Sequence, residues 1–346
     1  WCSKVDMVKI AVLGAGVNGL TCAVKIKEKF KEHHVVLISS EFTPHTTGDG
    51  SGGLWYPYLC GNTPENLITK WGSETFKFLH ELWLDGCCQI CLMPIYELRR
   101  NKDEIVEQDW IKTVFGYQIL NKKQLEYFRQ LYSTNYGAGQ TFMTFVTPPP
   151  KLLAYLQQRY LAANGEILQN KVASLEDPIL DDYDVVVNCT GLGARLVVPD
   201  DKVEAIRGQV ARVQAPWLSE TIMDNSVGNY IIPNADVCIL GGTHQNVYNT
   251  KIDQEDTEFI VNGCSAIIPG LRHAKLVSHW AGLRPGRETV RLEKEKLDGK
   301  LFIHNYGHGG SGFTLFWGCG NEVMRLLEAH FHETKYNTSK TQINIL

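Results

Sequence analysis

Val8-Lys9-Ile10-Ala11-Val12-Leu13-Gly14-Ala15-Gly16-Val17-Asn18-Gly19 is the stretch on which the fold turns. Its first half is a short apolar run of the kind a buried parallel strand needs. Its second half is G-x-G-x-x-G. In that pattern the first glycine makes a tight turn and the second lets the backbone approach a pyrophosphate. The third lets the following helix pack on the strand. Leu20 to Phe30 then reads as a helix, with Leu20, Ala23, Val24 and Ile26 mostly on one face and lysines on the other. Val35-Val36-Leu37-Ile38 is a second buried strand, which completes a βαβ unit. The helix N-terminus offers free N–H groups and a positive dipole to a phosphate, so Gly14, Ala15, Gly16, Val17, Asn18 and Gly19 are read as a dinucleotide site. The acidic residue expected after the second strand is Glu41, next to Ser40; it is either a ribose ligand or a solvated loop charge.

Asp184 to Asn188 repeats the parallel-strand pattern much further along, followed by Cys189-Thr190-Gly191. Pro64 to Trp83 is predicted as a helix with Thr63 as its N-cap, and Pro149 to Ala163 as another. Residues 209–215, 230–233 and 237–240 alternate as antiparallel strands do. The fold class is therefore α/β: a Rossmann-like domain built from discontinuous segments, interleaved with an antiparallel sheet. The polar final ten residues are expected to be loose.

Of the 346 residues, 44% are hydrophobic and 21% charged, an ordinary globular balance, and the formal net charge is -4. That charge gives no electrostatic case for a nucleic-acid partner. No apolar run approaches the roughly 20 residues that cross a bilayer, so no membrane partner is expected. The ten cysteines are spread through apolar contexts and read as reduced core thiols. Cys87-Cys88-Gln89-Ile90-Cys91 has no second ligand pair at zinc spacing, which excludes a metal from the expectations.

The glycine fingerprint alone does not separate NAD from FAD. Thr43-Pro44-His45-Thr46-Thr47-Gly48-Asp49, Gly52-Gly53-Leu54-Trp55-Tyr56-Pro57-Tyr58, Val187-Asn188-Cys189-Thr190-Gly191-Leu192-Gly193, Ile206-Arg207-Gly208-Gln209-Val210, Gly282-Leu283-Arg284-Pro285 and His304-Asn305-Tyr306-Gly307-His308-Gly309-Gly310-Ser311-Gly312 follow in order. Over nearly the whole chain these resemble the D-amino-acid oxidase and D-aspartate oxidase family. The resemblance implies FAD, bound by 1–50, 150–200 and 285–335, with 51–149 and 201–284 mainly a substrate domain and 336–346 a flexible tail. It adds Thr46, Thr47, Gly53, Leu54, Val172, Gly191, Gly309, Gly310, Ser311, Gly312, Phe313 and Thr314 to the cofactor site. Glycines as dense as those of 307–312 fit a backbone that something flat approaches closely.

The family's roles, carried to matching positions, make Arg284 the bidentate partner of the substrate carboxylate. Tyr230 supplies a third contact to that carboxylate, and the Gly310 carbonyl accepts from the substrate amine. Tyr58 and Trp55 either line the pocket or sit in the core. The implied reaction passes the Cα hydrogen to the flavin and electrons on to O2, so His304 and His308 are expected to be structural. D-Aspartate oxidases carry arginines where this chain has Met223 and His244, which favours neutral D-amino acids. D-Aspartate is the alternative, with His244 or Arg287 supplying charge. The partners are then a D-amino acid and O2, with a homodimer left open. The resemblance implies a peroxisomal address, though Asn344-Ile345-Leu346 lacks the basic middle residue. Trp1 in place of Met and the sequon Asn337-Thr338-Ser339 keep secretion as the alternative.

Overall fold

In the computed structural model, residues 7–343 are described apart from 133, with side chains described to 334. The apolar run that opens the chain forms β1 (Lys9–Leu13), α1 follows (Val17–Lys29), then β2 (His34–Ser39). A 20-residue helix, α2 (Glu65–Leu84), leads into β3 (Cys91–Arg99), β4 (Phe115–Ile119), α3 (Lys122–Leu131) and β5 (Ala138–Val146). Next come α4 (Pro149–Ala162), β6 (Glu166–Gln169), β7 (Val185–Asn188), the short α5 (Ala194–Val197) and β8 (Glu204–Gln214). The chain closes with β9 (Thr221–Asp224), β10 (Asn229–Pro233), β11 (Cys238–Gly241), α6 (Gln254–Ile267), β12 (Lys275–Gly286), β13 (Arg291–Leu297), β14 (Lys300–Tyr306) and α7 (Gly312–Ile343).

Two sheets organise these elements. The first has six strands in the order β13-β14-β7-β1-β2-β6, all parallel but for β13. Ile10, Val12, Val35, Leu37, Val185 and Val187 face one core, shared with α1 and α4, and Ala11, Leu13, Val36, Ile38 and Val186 face another. Burial on both faces is why these strands read as continuous apolar runs. The second sheet has eight strands, β12-β8-β11-β10-β9-β3-β5-β4, antiparallel except where β3 meets β9. One of its faces packs on α6 and α3 through Leu98, Ile222, Ile231, Leu240 and Ala211. The other face carries Trp280, Gly282 and Arg284 of β12, Tyr230 of β10, Met223 of β9 and Glu97 of β3, by strand alternation.

Three local expectations are corrected. The first turn of α2 is capped by the Pro64 carbonyl, which accepts from Leu67 and Ile68. Thr63 instead accepts from the Val290 N–H, tying the helix start to the chain before β13. Strands β3, β4, β5, β6, β9, β12, β13 and β14 were missed. The backbone of α7 stays helical to Ile343, where a loose tail was expected; the C-terminal tripeptide and the Asn337 side chain lie outside the described residues. The nine described cysteines are free thiols, including Cys87, Cys88 and Cys91.

Candidate active site

The glycine loop between β1 and α1 is built as its sequence demands. Gly14 has φ +92°, and a Cβ there would lie 2.6 Å from the Cys189 carbonyl oxygen. A Cβ on Gly19 would lie 1.7 Å from the Gly14 oxygen, so loop and helix touch through hydrogen alone. Gly16 has nothing within 4 Å and leaves its side open. Helix α1 begins there without a side-chain cap or an acid in its first turn, so its N–H groups and dipole face an anion unopposed. Asn18 donates through Nδ2 to His308 Nδ1 at 3.3 Å, yet Asn18 Oδ1 and His308 Nε2 are buried without partners. Buried polar atoms are normally satisfied. Two orphans beside an open helix N-terminus fit a bound dinucleotide. Of the first strand's neighbours, Ser39 was missed: its hydroxyl accepts from Ala15 N–H at 3.1 Å. Ser40 and Glu41 are exposed at the end of β2.

Next to this loop lies a cavity of about 450 Å³ lined by His45, Thr46, Thr47, Leu192, His279, Trp280 and Gly282. Asp49 holds its wall in shape by accepting from the Thr46 N–H at 2.9 Å, the Thr46 hydroxyl at 2.7 Å and the Thr43 hydroxyl at 2.6 Å. Here too a buried polar atom, His279 Nδ1, has no partner. Gly191 (φ +56°) lies against Pro285 beside the cavity, and Val172 packs below the first sheet among Val36, Ile38 and Val186. Leu54 joins Trp280 and Tyr230 in one apolar cluster. Gly53 is there for packing: a Cβ would lie 1.8 Å from the Thr147 oxygen. FAD requires a partly apolar cavity and a pyrophosphate loop, and the residues present fit it.

The residues expected at the substrate come from four parts of the chain. Arg284 Nη1 donates to the Thr243 carbonyl at 3.1 Å, and its guanidinium lies 6.0 Å from the Tyr58 ring centre. Only a glycine, Gly208, leaves room beneath it, since a Cβ there would be 2.2 Å from Nη1. The Arg284 charge also acts on the Tyr230 hydroxyl, favouring its ionised form. Burial raises the Tyr230 pKa, against the opposing pull of Arg284, so the phenol remains a donor. Burial likewise raises that of Tyr58. The Tyr58 ring lies over Gly310, where a Cβ would be 2.5 Å from Cδ1.

Tyr58 is held in turn by the loop before α7. Ser311 Oγ accepts from the Tyr58 N–H at 2.6 Å and donates to the Tyr58 carbonyl at 2.8 Å. Thr314 Oγ1 does the same for Tyr56, at 3.2 and 2.8 Å. So the hydroxyls of Ser311 and Thr314, expected at the cofactor, are committed to clamping residues 56–58. Gly309 (φ +55°) donates to the Pro285 carbonyl at 2.8 Å, which joins the loop to the Arg284 strand; Gly312 and the buried Phe313 begin α7.

Trp55 is corrected. It is 1% exposed, donates to the Gly72 carbonyl at 3.1 Å and packs edge-on against Phe76 and Trp110 in the core. Tyr56 packs against Trp110 and Phe142 and donates from its hydroxyl to Glu97 at 3.0 Å. Met223 pairs directly with Tyr230 across β9 and β10 and shares its face. His244 is exposed one residue beyond Thr243. Arg287 is removed as a spare cation: its Nε donates to Asp200 at 2.9 Å and its Nη1 to the Thr289 carbonyl at 3.0 Å. His304 bridges Glu295 and Asn188 at 2.8 and 3.3 Å, a structural role.

A glycine loop at a helix N-terminus, with a cavity lined by β12 and by the loops that follow β2 and β7, fits a flavin-dependent oxidoreductase. Residues 9–326 match the family model described as FAD dependent oxidoreductase. A D-amino acid oxidase of Dugesia ryukyuensis is 37% identical over 92% of this chain and 97% of that protein. Human D-aspartate oxidase is 34% identical over 98% of this chain and 100% of that protein. Glycine oxidase of Geobacillus kaustophilus has the same fold, with a TM-score of 0.77 at 16% identity over 93% of this chain and 95% of that one. The chain belongs to the D-amino-acid oxidase and D-aspartate oxidase family of FAD-dependent oxidoreductases.

Proposed function

We propose that the chain oxidatively deaminates D-amino acids with neutral side chains: D-amino acid, O2 and H2O give 2-oxo acid, NH3 and H2O2. The observation that carries this reading is the meeting of Arg284, Tyr230, Tyr58 and Gly310 beside the cavity. Arg284 and the protonated Tyr230 bind the α-carboxylate by charge-assisted hydrogen bonds. The Gly310 carbonyl accepts from the amine and so orients it. Tyr58 closes the site against water. These groups fix the Cα–H bond in one direction, and positioning of this sort accounts for much of the rate in such a site. A bound FAD would supply the hydride acceptor and the route of the two electrons to O2. Gly14 to Gly19, Thr46, Thr47, Gly191 and the backbone of 309–313 are the residues proposed to hold it, with 1–50, 150–200 and 285–335 as the FAD-binding unit and 51–149 and 201–284 as the substrate unit.

Neutral side chains are favoured because Met223 shares the face of Tyr230 and Arg287 is already paired with Asp200, so neither position offers a second carboxylate a free cation. D-Aspartate is the second reading, favoured by His244 at the rim. Peroxide release from FAD-loaded protein with D- and L-alanine, D-methionine, D-aspartate and D-glutamate tests both. Neutral D-forms above acidic ones support the first reading, D-aspartate alone the second. No turnover of any D-form with flavin bound sinks both. Production of peroxide favours confinement in peroxisomes; glycan mass on Asn337 in native protein would overturn that placement.

A further inference from the structure

A guanidinium buried in a sheet stays charged where its partners are brought to it. Arg207, in β8, is 2% exposed. Its Nη1 donates to Gln245 Oε1 at 2.7 Å and to Asp256 Oδ2 at 2.6 Å. Its Nη2 donates to Gln209 Oε1 at 2.8 Å and to the Lys251 carbonyl at 2.6 Å. The backbone repeats the tie, since Arg207 and Gln245 exchange N–H to carbonyl bonds of 2.7 and 3.0 Å. Gln245 Nε2 adds a bond to Asp256 Oδ1 at 2.9 Å. Gln209, two residues on, donates to the Asp253 carbonyl and accepts from the Asp253 N–H, both at 2.8 Å. Residues 245 and 251–253, the two ends of one loop, are thus gathered at a single buried cation.

Between those ends the chain forms neither helix nor strand, and residues 246–252 are exposed. Clamped ends with a free turn between them are the form of an Ω-loop, and loops held in this way commonly carry function. This one borders the cavity of about 450 Å³: Thr250 and Ile252 line it together with Leu192, His279 and Trp280. Ile252 is 47% exposed, so an apolar surface stands open at the wall where His279 Nδ1 also lacks a partner. The middle of the loop reaches toward the first sheet. There the Tyr248 ring centre lies 5.8 Å from the Arg195 guanidinium of α5, which follows Gly191. The loop therefore runs from β8 of one sheet, along the cavity, to the helix after β7 of the other. We infer that residues 246–252 form a strap over the FAD cavity, with Thr250 and Ile252 as cofactor contacts, and that Arg207 is the positioning residue that holds them there. The inference rests on the FAD site proposed above and extends it to a part of the chain that carries no nucleotide motif.

Two readouts other than turnover test it. The first is FAD affinity, from titration of the apoprotein into FAD followed by flavin fluorescence. Ile252→Ala should weaken binding about fivefold, the share of a half-covered aliphatic side chain. The apoprotein should melt within about 2 °C of wild type, because the side chain is exposed there. Ile252→Leu should bind FAD as wild type does. Gln245→Ala leaves the Arg207–Asp256 pair intact and should weaken FAD about tenfold, as expected for one charge-assisted bond. The second readout is trypsin cleavage after Lys251, compared in the same digest with Lys102 of the exposed loop after β3, which has β11, β10 and β9 between it and β8. Cleavage follows the population of the open segment. FAD should slow it at Lys251 by about tenfold relative to Lys102, and Gln245→Ala should shrink that protection. Equal cleavage at Lys251 with and without bound FAD, or an affinity unmoved by Ile252→Ala, would overturn the strap. A Gln245→Ala protein that misfolds opens Lys102 as well as Lys251, and the Ile252 variants then decide. Tight FAD binding that no D-amino acid reduces would instead overturn the oxidase reading and leave the strap standing.

Discussion

Replacing Gly208 by alanine tests the substrate anchor without touching it. The added Cβ would lie 2.2, 2.3 and 2.4 Å from Nη1, Nη2 and Cζ of Arg284. Ordinary contact begins near about 3.5 Å, so the guanidinium must retreat by about 1.3 Å. Gly208 sits mid-strand in β8, paired with Gly282, and has no left-handed φ, so its own backbone accepts alanine. The moving group is the far end of a flexible side chain, and its bond to Thr243 breaks with little effect on the fold. A displacement of about 1 Å in a positioned group costs on the order of 100-fold in rate, which is about 2.7 kcal/mol of transition-state binding. We expect kcat/KM for D-methionine to fall about 100-fold, with flavin content unchanged and Tm within a few degrees of wild type, as a strand Gly→Ala gains about 0.5–1 kcal/mol locally. Steady-state peroxide release and thermal melting measure both. Activity within threefold of wild type, with the melting curve unchanged, would refute Arg284 as the carboxylate anchor.

Three other perturbations separate cofactor, clamp and pH effects. Gly19→Ala sets its Cβ 1.7 Å from the backbone oxygen of Gly14, which has no freedom to yield; loss of flavin absorbance after gel filtration is expected, and retained flavin would contradict the pyrophosphate-loop reading. Ser311→Ala removes both bonds that hold the Tyr58 backbone; a loss of about 1–3 kcal/mol in stability is expected from denaturant melts, with KM raised more than kcat is lowered. His308 is pushed down from 6.5 to about 4 by burial. Between those values the unfolded chain binds a proton that the folded one does not. The contribution is therefore complete above pH 6.5 and lost as pH falls toward 4, by about 3 kcal/mol. In His308→Asn, Tm should vary less over that window than in wild type; parallel curves would refute the assignment.

Where the sequence was legible, one short segment carried its own physics. Residues 8–38 contain strand, glycine turn, helix and strand, and each is dictated by neighbours within a few positions. Arg284 and the 307–312 glycines were visible for the same reason: few uses exist for that chemistry. Trp55 and Tyr58 were not separable, because which aromatic faces the core depends on the phase of an irregular segment. That phase is set from outside, by Thr314 at residue 56 and Ser311 at residue 58, more than 250 positions away. Arg287 looked free because its partner Asp200 lies 87 positions off. Glu97 gave no signal at all: a lone acid in an alternating strand reads as solvent-facing until β9 is placed beside β3.

That last pairing makes the acidic-substrate question a two-residue problem. D-Aspartate needs a cation on the wall, and Met223→Arg is the obvious way to supply one. Yet residue 223 is the direct register partner of Glu97, one strand spacing of about 4.8 Å away. An arginine there meets a buried carboxylate before it meets a substrate, and a charge-assisted bond of about 1.5–3 kcal/mol holds it. The single substitution should therefore add little D-aspartate activity. Met223→Arg with Glu97→Gln frees the guanidinium, and kcat/KM for D-aspartate should then exceed the product of the two single effects by tenfold or more. Coupling of that kind is expected only of residues in contact or in one network. If Met223→Arg alone gains as much D-aspartate turnover as the double variant, Glu97 does not hold the arginine at residue 223, and the two positions act independently.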